Sequence, residues 1–303
     1  FKYPEGRKNN QENLIKIAEK QGYKYVNNKR GFKKISADEG KVITVNPRTD
    51  DGAMPYAIDM NRKDISLADF TEKGIEVLDN DEGFFMMVEG GKIDWAAHAN
   101  DAAAVVHDVI DFDNAIEHAI DFYNDHPDET LIIVTADHET GGMSVGSRST
   151  KYSSFYNRLK YQELSLPAFA DILKNKSKSA SGLDFETALL LTKKHFNMGK
   201  NGDGFSLTTK DLKLMKAAFE IEYGDSDKVS NMDKMAMSYV GDHPYASTVV
   251  SIVNEKSGLS FTSNSHTAMS VPVMVQGVGS ELFNTFLDNT DIAKNVGVLL
   301  IER

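Results

Sequence analysis

The stretch from residue 83 to residue 142 places the tightest constraint on what this chain can fold into. Two short apolar runs, 83–89 and 131–135, flank one long amphipathic segment. From Trp95 to about Tyr123, the residues Ala102, Val105, Val109, Phe112, Ile116, Ala119 and Tyr123 recur at three- and four-residue steps, the period of a helix with one buried face. Asn124, Asp125, His126 and Pro127 end that helix. The apolar runs lack polar alternation, as strands covered on both faces do. Strand, helix and strand in that order make a βαβ unit, which predicts parallel strands and a right-handed crossover. The expected class is α/β, with a mainly parallel sheet between helical layers.

Each predicted strand is followed by an acid-and-histidine cluster. The first, FFMMVEGGKIDWAAH, supplies Glu89, Asp94 and His98; the second, TLIIVTADHETGG, supplies Asp137 and His138. In parallel α/β sheets ligands collect beyond the carboxyl ends of strands, so carboxylates placed there face a common crevice. Asp94 and His98 are four apart and project from one helical face. Taken singly, a Glu at a strand end, an Asp-x-x-x-His pair on a helix and an Asp-His dipeptide after a strand are commonly solvated or capping groups. Their joint occurrence, with Gly90-Gly91 and Gly141-Gly142 clearing space around them, points instead to a cluster of metal ligands. A late His266-Thr267 pair extends the set.

The chain has no cysteine, so any transition metal must be held by His, Asp and Glu. A net charge of −11 argues against a partner recognised through a phosphate backbone, and so against nucleic acid. No apolar run approaches the roughly 18–20 residues of a membrane span. With 303 residues the chain can bury a substantial core as one domain with an insertion. Phe1 opens it without an initiator Met or a charged-then-apolar leader, so a signal peptide is expected to have been removed or to lie upstream.

Elsewhere, the segment from Gln11 carries Leu14, Ile15 and Ala18 at helical spacing and stops at Gly22. Residues 23–26 and 41–45 read as short strands, and Ser66 caps a helix carrying Leu67, Phe70, Ile75, Val77 and Leu78. From 147 to 241 the composition shifts toward Ser, Lys and Asn with helical patterning, which predicts a helix-rich insertion beside the sheet. Strands are expected again at 248–253 and 271–275, and a final helix from about Asp291.

The pattern E-G-x-x-I-D-x-x-x-H followed by T-A-D-H-E-T-G-G, the later S-x-H-T around His266, and the run from Val271 onward resemble the alkaline phosphatases. The resemblance covers most of the chain and is weakest over 150–240. It implies a three-layer αβα sandwich, phosphate monoester hydrolysis through a phosphoserine intermediate, and a site with two Zn2+ ions and one Mg2+ ion. Matched residue by residue, it implies Asp94, His98 and His266 for the first zinc, Asp137 and His138 for the second, and Glu89 for magnesium. Imidazole and carboxylate suit zinc, and oxygen alone suits magnesium. Small phosphate monoesters as substrates, a periplasmic or secreted location and a homodimer follow from the same resemblance.

Two departures stand out. Trp95 follows Asp94 where some members place Lys or His near the phosphate, which implies altered phosphate affinity and pH optimum; alternatively the indole packs against the helix start. The family's nucleophilic serine, in an Asp-Ser-Ala context, its phosphate-binding Arg, a bridging Asp and a magnesium-ligand Thr are expected upstream of Phe1. Ser36-Ala37-Asp38 only reverses part of that motif. Phe1–Gly6 resembles the region just after the family's first part, so the chain reads as the C-terminal portion of a single alkaline-phosphatase-like domain, its sheet incomplete. One complete metal site, little turnover and an apolar edge prone to self-association are the expectations. A phosphodiesterase or sulfatase of the same superfamily and a non-catalytic metal-binding module are the rival readings.

Weaker signals carry less. Asn201-Gly202-Asp203-Gly204 fails the calcium-loop ligand pattern, and Gly199-Lys200 lacks the rest of a phosphate loop. His107, His118 and His126 are expected on an exposed helix face, His195 and His243 have no evident partner, and Met232–Met237 suggests insertion packing.

Overall fold

The computed structural model describes residues 13–49, 52–198, 205–237 and 241–301. Phe1–Gly6, Gly199-Lys200 and Asn201–Gly204 lie outside the described residues. The first part runs α1 (Leu14–Lys20), β1 (Lys24–Val26), α2 (Lys29–Phe32), β2 (Val42–Thr44) and α3 (Leu67–Leu78). β1 and β2 pair in parallel, Tyr25 opposite Ile43. The Ser66 side chain accepts from the Asp69 backbone N–H and the Asp69 carboxylate accepts from that of Ser66, so a capping box starts α3 as the sequence predicts.

Next come α4 (Gly91–His98), α5 (Ala102–Asp125), β3 (Leu131–Val134), β4 (Glu139–Thr140) and β5 (Ser144–Val145). The single helix expected from Trp95 is thus two. Asn100 takes φ +53 and Asp101 becomes the N-cap of α5, accepting from the Ala104 N–H, because the chain must turn there for α4 to reach the site.

Residues 83–90 form no regular element and pair with no strand among the described residues. They are held by side chains instead. Phe84 packs edge-on against Phe122 of α5 at 5.6 Å. Met86 lies so close to α3 that a Cβ on Gly74 would sit 2.8 Å from its sulfur. Alternate residues face out, with Phe85 and Met87 exposed, so the segment is covered on one face rather than two. Strand β3 pairs antiparallel with β8 (Met274–Gly277), Ile133 opposite Val275. The expected parallel pairing of 83–89 with 131–135 is therefore not formed, and three of the four ladders among the described residues are antiparallel. These ladders join segments separated by the whole α6–α10 region, so no single strand–helix–strand crossover fixes their direction.

The later part runs α6 (Leu166–Ser177), α7 (Phe185–Phe196), α8 (Thr209–Glu222), α9 (Asn231–Met237), α10 (Pro244–Ser257), β6 (Leu259–Ser260), β7 (His266–Thr267), β8 and α11 (Asn289–Ile301). The expected strand at 248–253 is the middle of α10. Its β-branched residues Val249, Val250, Ile252 and Val253 are all buried, so packing around the helix overrides their strand preference. Pro244 at the start and Gly258 in the left-handed conformation at the end bound it.

The largest buried cluster lies among these helices, where Phe169, Phe196, Phe205, Met215 and Tyr245 join Ala102 and Ala103 of α5. A smaller cluster of Tyr56, Ala96, Ala97, Ala104 and Val105 supports the α4–α5 corner. Met232 and Met235 are exposed on the short α9, against the packing expected of them. His195 and His243 face Glu163 and Glu222 at 3.7 and 3.6 Å.

Candidate metal centre

Three segments far apart in sequence meet beside α4. The two-residue antiparallel ladder of β4 and β7 sets Thr140 opposite His266 and Glu139 opposite Thr267. Glu139 pins it: one carboxylate oxygen accepts from the Gly142 N–H at 2.8 Å and the other from the Thr267 hydroxyl. The Gly141 carbonyl accepts from the Thr262 N–H at 3.0 Å, drawing the loop before β7 against the turn after β4. Asp94 and His98 come from one face of α4, as their four-residue spacing requires.

His98 Nε2 lies 3.4 Å from Asp94 Oδ1 and 3.2 Å from His266 Nε2, and His266 Nε2 lies 3.8 Å from Asp94 Oδ1. The His138 ring stacks on His266 with centroids 3.5 Å apart. Asp94, His138 and His266 form a group whose ligand atoms lie within 4.8 Å of one another and could hold a metal ion. His98 is oriented by a backbone acceptor: its Nδ1 sits 2.7 Å from the Asn264 carbonyl. A carbonyl only accepts, so Nδ1 carries the proton and Nε2 of the neutral ring turns a lone pair inward.

Asp94, His98 and His266, assigned to one ion by the resemblance, lie with Oδ1 and the two Nε2 atoms 3.2–3.8 Å apart. His138, assigned with Asp137 to a second ion by the resemblance, also lies with this group, two residues before the Thr140 that pairs with His266. Asp137 Oδ2 is 3.2 Å from His138 Nε2, while its side chain is otherwise open to solvent. Glu89 is exposed and does not join the group, in keeping with the unpaired run that carries it.

Two polar residues beside the cluster were not singled out from sequence. Thr140 donates to Asp94 Oδ1 at 2.6 Å and lies 3.2 Å from His138 Nδ1, and Asn264 supplies the carbonyl that orients His98. The only signal for Thr140 was its place within T-A-D-H-E-T-G-G; Asn264 had none beyond its nearness to His266. Trp95 is partly exposed, with the Lys92 ammonium 3.9 Å above its ring and 4.2 Å from that of Tyr56. One face of the indole is thus covered by a lysine ammonium while the residue stays 40% exposed.

The family model described as alkaline phosphatase matches residues 2–301. Alkaline phosphatase 3 of Bacillus subtilis is 33% identical over 285 residues, covering 94% of this chain and 54% of that protein. Alkaline phosphatase 4 of the same organism is 31% identical over 289 residues, covering 95% and 54%. The crystal structure of the cold-active alkaline phosphatase from the psychrophile Shewanella sp. superposes with a TM-score of 0.71 at 26% identity, covering 95% of this chain and 62% of that one. The Thermus thermophilus alkaline phosphatase shares the fold, with a TM-score of 0.73 at 22% identity over 98% of this chain and 60% of that one. The chain spans about half the length of the curated relatives it matches. This 303-residue chain, an α/β protein, belongs to the alkaline phosphatase family.

Proposed function

We propose that this chain holds the metal ions of a phosphate monoester hydrolase: one zinc on Asp94, His98 and His266, a second on Asp137 and His138, and magnesium at Glu89. The observation carrying this reading is the spacing of the donor atoms. Zinc with ligands at roughly 2.0–2.1 Å in tetrahedral geometry sets neighbouring donors roughly 3.3–3.4 Å apart. The edges among His98, His266 and Asp94 are 3.2, 3.4 and 3.8 Å, and that between Asp137 and His138 is 3.2 Å. The donor set is all imidazole and carboxylate, which suits zinc. Bound zinc supplies Lewis-acid stabilisation of the attacking and leaving oxygens in a phosphoryl displacement. The chain's own part is to orient the donors: Asn264 fixes His98, and the β4–β7 ladder fixes His138 and His266.

The reaction proposed runs through a phosphoserine. No Asp-Ser-Ala tripeptide occurs in these 303 residues, so the chain by itself binds metal with little or no turnover. Chromogenic phosphate monoester hydrolysis at alkaline pH, with zinc and magnesium against a chelated control, tests this. Calorimetric zinc binding without turnover is expected. Robust chelator-sensitive turnover by the chain overturns the placement of the nucleophile, and absence of zinc binding overturns the metal reading. A panel of phosphate monoesters, diesters and sulfate esters separates a monoesterase from the rival chemistries. The same reading takes the protein as exported and homodimeric, which fractionation and sedimentation would test. Among the described residues no helix is long and apolar enough to cross a membrane.

A further inference from the structure

The hydroxyl of Thr140 stands between the two halves of the metal cluster. Its Oγ1 is 2.6 Å from Asp94 Oδ1 and 3.2 Å from Nδ1 of His138. A threonine hydroxyl has one proton and two lone pairs. An ionised carboxylate only accepts, so that proton goes to Asp94. Toward His138 the hydroxyl can then only accept, which requires the proton of the neutral imidazole to sit on Nδ1. Nε2 of His138 is left with a bare lone pair, and it faces Asp137 Oδ2 at 3.2 Å. Two electron-rich atoms at that distance repel each other unless a cation lies between them.

We infer that Thr140 is a positioning residue that couples the two metal positions, holding Asp94 toward His98 and His266 with its proton while fixing the His138 tautomer with its lone pair. This rests on the reading of the cluster as a metal centre. One hydroxyl oriented by both sides makes the two sites interdependent: a cation that orders Asp94 also orders the acceptor that His138 needs. Outer hydrogen bonds of this kind fix the ring orientation and basicity of metal-bound histidines, and their loss typically costs about 10–100-fold in metal affinity.

The test compares Thr140→Val, which keeps the shape without the hydroxyl, with Thr140→Ser, which keeps the hydroxyl. Zinc affinity is measured by chelator competition, and the His138 tautomer by long-range 15N–1H correlation on the zinc-loaded chain. The expected result is an Nδ1–H tautomer for His138 in the unsubstituted chain. Thr140→Val is expected to give mixed tautomers and about a 10–100-fold loss of zinc affinity, with both restored in Thr140→Ser. An Nε2–H tautomer in the unsubstituted chain overturns the inference without recourse to any variant. Unchanged zinc affinity and tautomer in Thr140→Val also overturns it. If the unsubstituted chain binds no zinc, the metal reading and the site coupling fall together, whatever the tautomer. Zinc binding that is indifferent to Thr140 removes the coupling alone.

Discussion

Replacing Asp101 with Asn removes a charge from the corner that joins α4, which carries Asp94 and His98, to α5. Asp101 is fully buried. One carboxylate oxygen accepts from the Ala104 N–H at 3.1 Å and the Gln162 amide at 2.8 Å, and the other from the Leu166 N–H at 2.7 Å. Burial outweighs these three bonds and pushes its pKa up from 3.8 to about 6, with the nearby Asp59 charge adding to the rise. The native carboxyl therefore keeps its proton at pH values where the unfolded chain has released it. The stabilisation this brings is complete below pH 3.8 and is lost as pH rises through about 6. The full span is about 3 kcal/mol, of which about 1 kcal/mol falls between pH 5 and pH 7. Asn cannot titrate, so Asp101→Asn lacks this slope. Its amide group also sets a donor against the Leu166 N–H, costing roughly 1–3 kcal/mol at every pH. Urea unfolding of both proteins across this range should show the variant less stable at pH 5, with the gap narrowing by about 1 kcal/mol by pH 7. A gap that stays constant, or widens, refutes the claim that Asp101 is held protonated by burial.

Asp108 should behave in the same sense. Burial first, and then the charges of Asp111 and Asp59 against the opposing Ala57 N–H and Lys92, push it up to about 7. One of its oxygens has no hydrogen-bond partner. Asp108→Asn should gain about 1 kcal/mol or more over the parent as pH rises through about 7, read as a thermal midpoint difference that grows with pH. Gly142→Ala should lower the midpoint and weaken zinc binding. Its backbone φ is +58 and a Cβ would lie 1.9 Å from the Thr262 hydroxyl, so Thr262 must shift and the left-handed backbone is strained, at a cost of at least about 1 kcal/mol. Zinc at about 100 times its dissociation constant should raise the unfolding free energy by about 2.7 kcal/mol. His98→Ala should abolish most of that gain, and a chelator should reverse it; a chain whose midpoint ignores zinc contradicts the metal centre.

Much of the local structure is legible residue by residue. Ser66 and Asp69 announce the start of α3 because capping is a matter of side chains three positions apart. The apolar recurrence from Ala102 to Tyr123 announces α5 because one face of it is buried and the period survives. Where every face is buried, the period disappears: 248–253 has the composition of a strand and lies inside α10. The break at Asn100 was likewise hidden, since Ala96 and Ala97 continue an apolar pattern across a corner that packing alone imposes.

The candidate site divides in the same way. Sequence alone determined the donor types and their local spacing, since Asp94 and His98 are neighbours on any helix and Asp137 and His138 are adjacent in the chain. Tertiary structure alone decided which donors meet. The β4–β7 ladder is two residues long, too short for any periodicity to reveal, yet it carries His266 across more than a hundred residues onto His138. It also decided that Glu89 stays apart, because its segment leans on α3 and α5 through Met86 and Phe84 rather than joining a ladder. Residue type is inherited from the chain, but a metal centre is a set of distances, and those exist only after packing brings remote segments together.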